Sequence, residues 1–310
     1  MDATTGDDLA ALISGVAAKV ETARAKVNLA LHILGRRADG YHLIDSLVVF
    51  ADMGDTLRAT PRDEGPVKLT IDGPFGDELD RSTRPEDNLV IRAADELLAA
   101  FPRRRIGGVQ LGLTKRLPVA SGLGGGSADA AAALRLLDRL WNLGAGGPRL
   151  AEIGARLGAD VPMCLVSRPL QAGGIGEQIT LAPAIPALPL LLVNPGVAVP
   201  TRNVFRRLAP GERPPMWPLP ARFASRIEFA QWLRMTRNDL CEPAIAEARV
   251  VGAVVKAVSS DAECLFANLS GSGATVFGIF NSRAAAERAA ARIHQKKPDW
   301  WVAVTQSGGA

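Results

Sequence analysis

Only three cysteines occur in the 310 residues, Cys164, Cys241 and Cys264, far apart and with no C-x-x-C pair or histidine cluster beside them. An odd, scattered set excludes a disulfide framework and a structural zinc site, and reads as buried free thiols in a reducing compartment. Aromatic residues make up 5% of the chain, with Tyr41 the one tyrosine. No apolar run approaches the roughly 18 residues of a membrane-spanning helix, so no membrane partner is expected. The segment from Met1 to Lys19 places Asp2, Asp7 and Asp8 ahead of a short apolar stretch. Secretory leaders open with basic residues and transit peptides avoid acids, so a cytoplasmic location is expected. The first twenty residues read as a loosely attached extension. Charge of one sign is also modest, at +4, and Arg103-Arg104-Arg105 is the one basic run, so no nucleic-acid footprint stands out.

What is present suits a globular chain with a substantial core: 47% of residues are hydrophobic and 22% charged, enough for one large or two moderate domains. Ala25–Gly35 alternates strictly, with Val27, Leu29, Leu31 and Ile33 on one face and Lys26, Asn28, Ala30 and His32 on the other. That is the period of a half-buried strand, and it gathers Lys26, Asn28 and His32 on one surface. Arg36–Gly40 reads as a turn, and Ser46–Val49, Thr56–Thr60, Val67–Ile71 and Gly108–Thr114 as further strands. Helical spacing follows over Asn88–Ala100, over Ser127–Leu143 with Ser127 as cap, and over Leu150–Leu157 ahead of Gly158. Proline-rich stretches at Pro183–Pro189 and Pro210–Pro220 interrupt regular structure around a short buried strand, Leu190–Val193. A mostly helical stretch (Phe229–Trp232, Pro243–Val258) comes next, and then strands at Ala274–Phe280 and Trp300–Val304 bracket an alanine-rich helix, Ser282–Gln295. This order predicts an α+β fold of two packed lobes, with a border near residues 180–190.

The segment from Pro118 to Ala128 joins a strand to a helix and holds four glycines in five positions, Gly122, Gly124, Gly125 and Gly126 around Leu123. Such a loop lets the backbone approach a ligand closely, and the helix it opens offers unpaired amides and a favourable dipole to an anion such as phosphate. Ser127 adds a hydroxyl suited to phosphate or a magnesium ion. No Gly-Lys-Ser/Thr follows, so this is not a Walker loop. Ser127 also stands where a dinucleotide fingerprint needs its third glycine. Taken alone, the residues leave open a tight packing turn between strand and helix.

The pattern across Pro118–Ala128 resembles the phosphate-binding loop of the GHMP kinase superfamily. Ala25-Lys-Val-Asn-Leu29 is similar to that superfamily's first motif, and Leu269-Ser-Gly-Ser-Gly-Ala-Thr-Val-Phe277 to its third, a glycine-rich turn packing beside the nucleotide loop. Five further stretches resemble one branch, whose substrate is a cytidine diphosphate linked to a methylated tetritol. They are Gly35–His42, Leu157–Pro162, Gly173–Glu177, Pro200–Phe205 and Arg237–Leu240. The resemblance implies a two-lobed α+β fold with the active site in the cleft between lobes. The implied domains are an extension over residues 1–20, an ATP-binding domain over 21–183 and a C-terminal domain over 184–306.

The implied activity is ATP-dependent phosphorylation of an alcohol, the 2-hydroxyl of that cytidine diphosphate compound, in isoprenoid precursor synthesis. By resemblance Asp160 is the catalytic base and Lys26 its partner, an ammonium that keeps the carboxylate ionised and stabilises the forming alkoxide. Pro118, Gly122, Leu123, Gly124, Gly125, Gly126 and Ser127 would bind ATP. Asn28 would orient the substrate, and Tyr41, His42 and Phe205 would hold the cytidine. Magnesium is implied with ATP, without an identifiable protein ligand. His294 fits no metal spacing and reads as a surface residue. A monomer and a homodimer both remain open. So do a related kinase acting on homoserine, mevalonate or a sugar, and a non-catalytic ligand sensor on the same fold.

Overall fold

The computed structural model describes residues 19–102, 106–209 and 211–307; the acidic segment up to Ala18 and the run Arg103-Arg104-Arg105 lie outside the described residues. The chain forms two compact units. The first comprises Met1–Ala23, Gly54–Val119 and Gly126–Leu165, and the second Arg24–Met53, Ala120–Gly125 and Val166–Ala310. Strands β1 (Lys19–Arg36) and β2 (His42–Arg62) each contribute residues to both. The predicted strands at Ser46–Val49 and Thr56–Thr60 are thus one long strand.

In the first unit the last part of β2 runs antiparallel to β4 (Gly108–Thr114), pairing Thr56 with Thr114 and Arg62 with Gly108. On the far side of β4 lies β3 (Lys68–Asp72), parallel to it. Helices α1 (Gly76–Ser82), α2 (Leu89–Ala100), α3 (Gly125–Leu140), α4 (Gly146–Leu157) and α5 (Val161–Val166) complete this part. Asn88 caps α2 by accepting from the N–H of Val90 at 2.9 Å, an interaction worth about 1 kcal/mol. Helix α3 begins at Gly125, so Ser127 lies inside its first turn and does not cap it, correcting the expected start. Ala128, Ala130–Ala133, Leu134, Leu136 and Leu137 are all buried along it, small side chains that let neighbouring backbone approach closely.

In the second unit Ser46–Val48 of β2 pairs antiparallel with β5 (Leu170–Gly173), which turns back into β6 (Gln178–Leu181). A separate antiparallel sheet has the order β10 (Trp301–Gln306), β7 (Pro189–Asn194), β9 (Val276–Phe280), β8 (Cys264–Leu269). Every residue of β7 and β9 is buried, which explains why they read as continuous apolar runs. Helices α6 (Thr201–Arg207), α7 (Arg226–Leu233), α8 (Cys241–Glu247), α9 (Arg249–Ser259) and α10 (Arg283–Lys296) accompany the sheet. Val251, Val254 and Val258 of α9 and Ala285, Ala289 and Ile293 of α10 pack with Leu191, Val193, Val276 and Phe280 in one core. Each such valine, leucine or phenylalanine contributes about 1.5–3 kcal/mol by leaving water. The helix expected over Pro243–Val258 breaks at Ala248, whose extended backbone (φ −142°, ψ 99°) separates α8 from α9.

The second proline-rich stretch forms no helix or strand from Gly211 to Pro220, yet it is tied down. The N–H of Arg213 donates to Leu34 O at 3.1 Å and that of Met216 to Asp45 Oδ2 at 2.9 Å. Of the cysteines, Cys164 is buried, while Cys241 and Cys264 are only half-buried, correcting the expectation of three buried thiols; the three form no disulfide with one another. Burial pushes both half-buried thiols up to about 11. His294 is exposed on α10. Among the described residues, no helix is long and apolar enough to cross a membrane.

Candidate functional site

Strand β1 supplies the first polar residues of the site, and it is not half-buried. Ala25 to Ile33 is buried on both faces, with Lys26 5% exposed, Asn28 4% and His32 1%. The alternation was real, but the polar face is covered by two segments distant in sequence. At Lys26 the cover is the glycine loop: the N–H of Lys26 donates to Leu123 O at 2.8 Å. At His32 it is the proline-rich segment, because Nδ1 lies 3.3 Å from Pro214 O. His32 Nε2 accepts from the N–H of Arg237 at 3.1 Å, so the ring is neutral with its proton on Nδ1, donated to Pro214. Burial, with Arg237 nearby, holds the His32 pKa below its ordinary value. His32 therefore shares a face with Lys26 and Asn28 but serves a different segment.

Lys26 and Asn28 are joined directly, Lys26 Nζ donating to Asn28 Oδ1 at 3.2 Å. The Asn28 amide is oriented from its other end, Nδ2 donating to Ser46 Oγ at 2.8 Å, and Ser46 in turn to Ala30 O at 2.7 Å. The result is an ammonium on a buried strand, its position set by an amide that cannot flip without losing two hydrogen bonds.

The glycine loop closes over the same strand. Gly124 has φ +64°, and a Cβ there would come within 3.0 Å of Lys26 Cε, so the missing side chain makes room for the lysine stem. The turn expected beside the loop is held to it, since Ser270 Oγ donates to Gly122 O at 2.9 Å and the N–H of Thr275 to Ser121 O at 3.0 Å. The N–H of Asn28 reaches Ser270 Oγ at 3.2 Å, so strand, loop and turn meet at one hydroxyl. Asn238 fastens the turn, its Nδ2 donating to Leu269 O at 2.8 Å and Gly271 O at 2.9 Å. Arg237 and Asp239, on either side of it, exchange backbone hydrogen bonds with Leu31. Ser46, Ser270 and Asn238 were not picked out from the sequence, although Ser270 and Asn238 lie inside motifs that were. Serine and asparagine are too common in turns to announce a bridging role across more than 200 residues of chain.

The remaining predicted residues fall in two places. Within the second unit, the rings of His42 and Phe205 are 4.7 Å apart and tilted by 32°. Tyr41, adjacent to His42, is 60% exposed, an aromatic face open to a ligand. Burial, followed by the charges of Arg36 and Arg213, holds the His42 pKa below the usual imidazole value, so its ring is neutral at pH 7. The Gly173–Glu177 stretch is the β5–β6 turn, and Gly174 O accepts from the N–H of Ile44 at 2.8 Å. Thr201, at the start of α6, shares a 2.8 Å hydrogen bond with Ser272 of the glycine turn. Within the first unit, Asp160 is half-buried immediately before α5, and its carbonyl accepts from the N–H of Cys164 at 3.1 Å. Pro118 is buried there, and Gly126 and Ser127 lie in the first turn of α3 with Gly126 exposed.

The chemistry on offer is that of an anion-binding loop. Side chains are absent at Gly122, Gly124, Gly125 and Gly126, and the first amides of α3 follow directly, a donor set that fits nucleotide phosphates. No cluster of three or more His, Cys, Asp or Glu side chains able to hold a metal occurs among the described residues.

Two family models match the chain, the GHMP kinases N terminal domain over residues 88–168 and the GHMP kinases C terminal over residues 225–299. A protein of Ruegeria pomeroyi named 4-diphosphocytidyl-2-C-methyl-D-erythritol kinase is 50% identical over 283 residues, covering 91% of this chain and 96% of the relative. A Chelativorans protein of the same name is 46% identical, covering 92% and 94%. A crystal structure of 4-(cytidine 5'-diphospho)-2C-methyl-D-erythritol kinase is similar with a TM-score of 0.75 at 32% identity, over 94% of this chain and 100% of that one.

Proposed function

This chain belongs to the GHMP kinase family, and on that premise we propose that it phosphorylates the 2-hydroxyl of 4-diphosphocytidyl-2-C-methyl-D-erythritol with ATP, in the non-mevalonate route to isoprenoid precursors. Kinases of this family use ATP. The observation that carries the choice of substrate is the His42–Phe205 ring pair beside the open face of Tyr41. Aromatic faces and a neutral imidazole suit a cytosine ring, and none of the alternative substrates, homoserine, mevalonate or a sugar, carries a base.

In this reading the amides of Gly124 to Ser127 receive the nucleotide phosphates. ATP supplies the phosphoryl group, and magnesium arriving with it would supply charge neutralisation on the phosphates. Asp160 takes the proton of the 2-hydroxyl as the oxygen–phosphorus bond forms and the bond to the β-phosphate oxygen breaks, releasing ADP. Lys26, held by Asn28, stabilises the negative charge that develops on the attacking oxygen. Tyr41, His42 and Phe205 hold the cytidine. No phosphorylated enzyme forms. Three cysteines that form no disulfide with one another favour a cytoplasmic setting for this activity.

The test is ADP release by the purified chain with the cytidine substrate, homoserine, mevalonate or galactose as acceptor. Turnover confined to the first, and inhibited by free cytidine nucleotides, is expected. Turnover with another acceptor and indifference to cytidine nucleotides would reassign the substrate.

A further inference from the structure

The two chain segments that flank the glycine loop end on one buried ionic cluster. Asp55 on β2, Lys115 just past β4 and Asp129 on α3 belong to the first unit and are 0%, 2% and 2% exposed. Lys115 Nζ donates to Asp55 Oδ2 and to Asp129 Oδ2, the latter at 2.8 Å. Asp55 Oδ1 accepts from the N–H groups of Arg116 at 2.6 Å and Leu117 at 2.9 Å, the residues that lead into Pro118. Asp55 thus holds the entry to the loop. Asp129, in the second turn of α3, ties its exit to the same lysine.

This is a costly way to fill a core. A buried ion pair roughly breaks even against apolar residues of the same volume, and here two carboxyl groups share one ammonium. Asp129 Oδ1 is buried without a hydrogen-bond partner among the described residues. Burial, opposed by Lys115 and reinforced by the Asp55 charge, pushes the Asp129 carboxyl up to about 7. Burial disfavours the Lys115 ammonium, but Asp129 and Asp55 hold its pKa above the ordinary value. The rest of the buried face of α3 is alanine and leucine, which would have accepted another apolar residue at position 129. What an apolar residue could not do is fix α3 to the strand end in one register.

We propose that Asp129, acting through Lys115 and Asp55, is a positioning residue of the nucleotide loop, fixing the spacing of its entry and exit and with it the arrangement of the phosphate-binding amides. The inference rests on the reading of that loop as the ATP site. Its test compares the full-length chain with Asp129→Leu, which fills the volume without an acceptor, Asp129→Ala, and Asp129→Asn, which keeps an oxygen for Lys115. Steady-state KM is measured separately for ATP and for the cytidine substrate, with the thermal midpoint of each variant. In Asp129→Leu the KM for ATP is expected to rise about tenfold or more, while that for the cytidine substrate changes less than about twofold, and Asp129→Asn recovers most of the loss.

A lowered midpoint with both KM values unchanged would reduce the cluster to a structural role and overturn the proposal. So would an equal rise in both KM values, an asparagine variant no better than leucine, or failure of both the leucine and the alanine variants to fold. Wild-type protein that binds ATP without phosphorylating the cytidine substrate would count against the proposed function instead. The positioning role would then be read from ATP affinity in the same variants.

Discussion

Gly122 and Ser270 are interlocked: the Ser270 hydroxyl donates to Gly122 O at 2.9 Å, and Gly122 sits so close to the turn that a side chain on it would overlap backbone atoms of Ser270 and Gly273. Two glycine-rich segments 148 residues apart in sequence are packed at backbone contact, and the shape of one limits the shape of the other.

Gly122→Ala tests that contact. The backbone at Gly122 is left-handed (φ +78°), and the added Cβ would stand 2.8 Å from Gly273 O, an overlap only backbone movement could relieve. The substitution is expected to cost about 1–3 kcal/mol of stability and to weaken ATP binding more than tenfold, roughly, while cytidine nucleotide binding is retained. Calorimetric titration with each nucleotide distinguishes this from general unfolding, in which both affinities fall together.

Asp160→Asn removes the proposed proton acceptor and keeps its size. A drop in kcat of about 10²–10⁴ is expected with the KM for ATP little changed. Near-normal turnover in this variant would leave the kinase assignment standing and withdraw the role given to Asp160.

His42→Ala and Phe205→Ala each take one ring from the tilted pair. Loss of one stacking partner costs about 1–3 kcal/mol per base, so the KM for the cytidine substrate is expected to rise roughly 5- to 150-fold with less effect on that for ATP. Equal effects on both substrates would argue that the pair only supports packing.

The His32 ring is neutral in the folded chain, with its pKa below the ordinary 6.5. Below about pH 6.5 the unfolded chain takes up a proton that the folded one resists, so stability is present above that pH and is lost as pH falls through the folded value. Protonation at Nε2 also forfeits the hydrogen bond from Arg237. The thermal midpoint is expected to decline on acidification from pH 7 to 5, with a smaller decline in His32→Leu. An identical pH slope in wild type and variant would assign the acid sensitivity to other groups.

The legible part of this protein was its local chemistry. Strand β4 was predicted to the residue and α2 within one, because alternation and an asparagine cap are written in neighbouring residues. The Gly122–Gly126 loop was evident because glycines with positive φ have few substitutes. Strands β5, β6 and β8 were missed: four to six residues of mixed burial carry too little periodicity to stand out. The break at Ala248 left no proline or glycine to mark it.

The sequence by itself determined which residues carry reactive groups and which segments bend, since both follow from side-chain chemistry and short-range backbone preference. Only the tertiary structure decided what those groups meet. Lys26 and Asn28 read as one face of a half-buried strand and are instead sealed beneath the glycine loop, because Leu123 and Ser270 reach that strand from about 95 and 240 residues away. Lys115 was not singled out from the sequence, yet it is the centre of a buried cluster, because Asp55 and Asp129 arrive on different elements. Such pairings depend on how folded segments pack, and no local period in the chain encodes them.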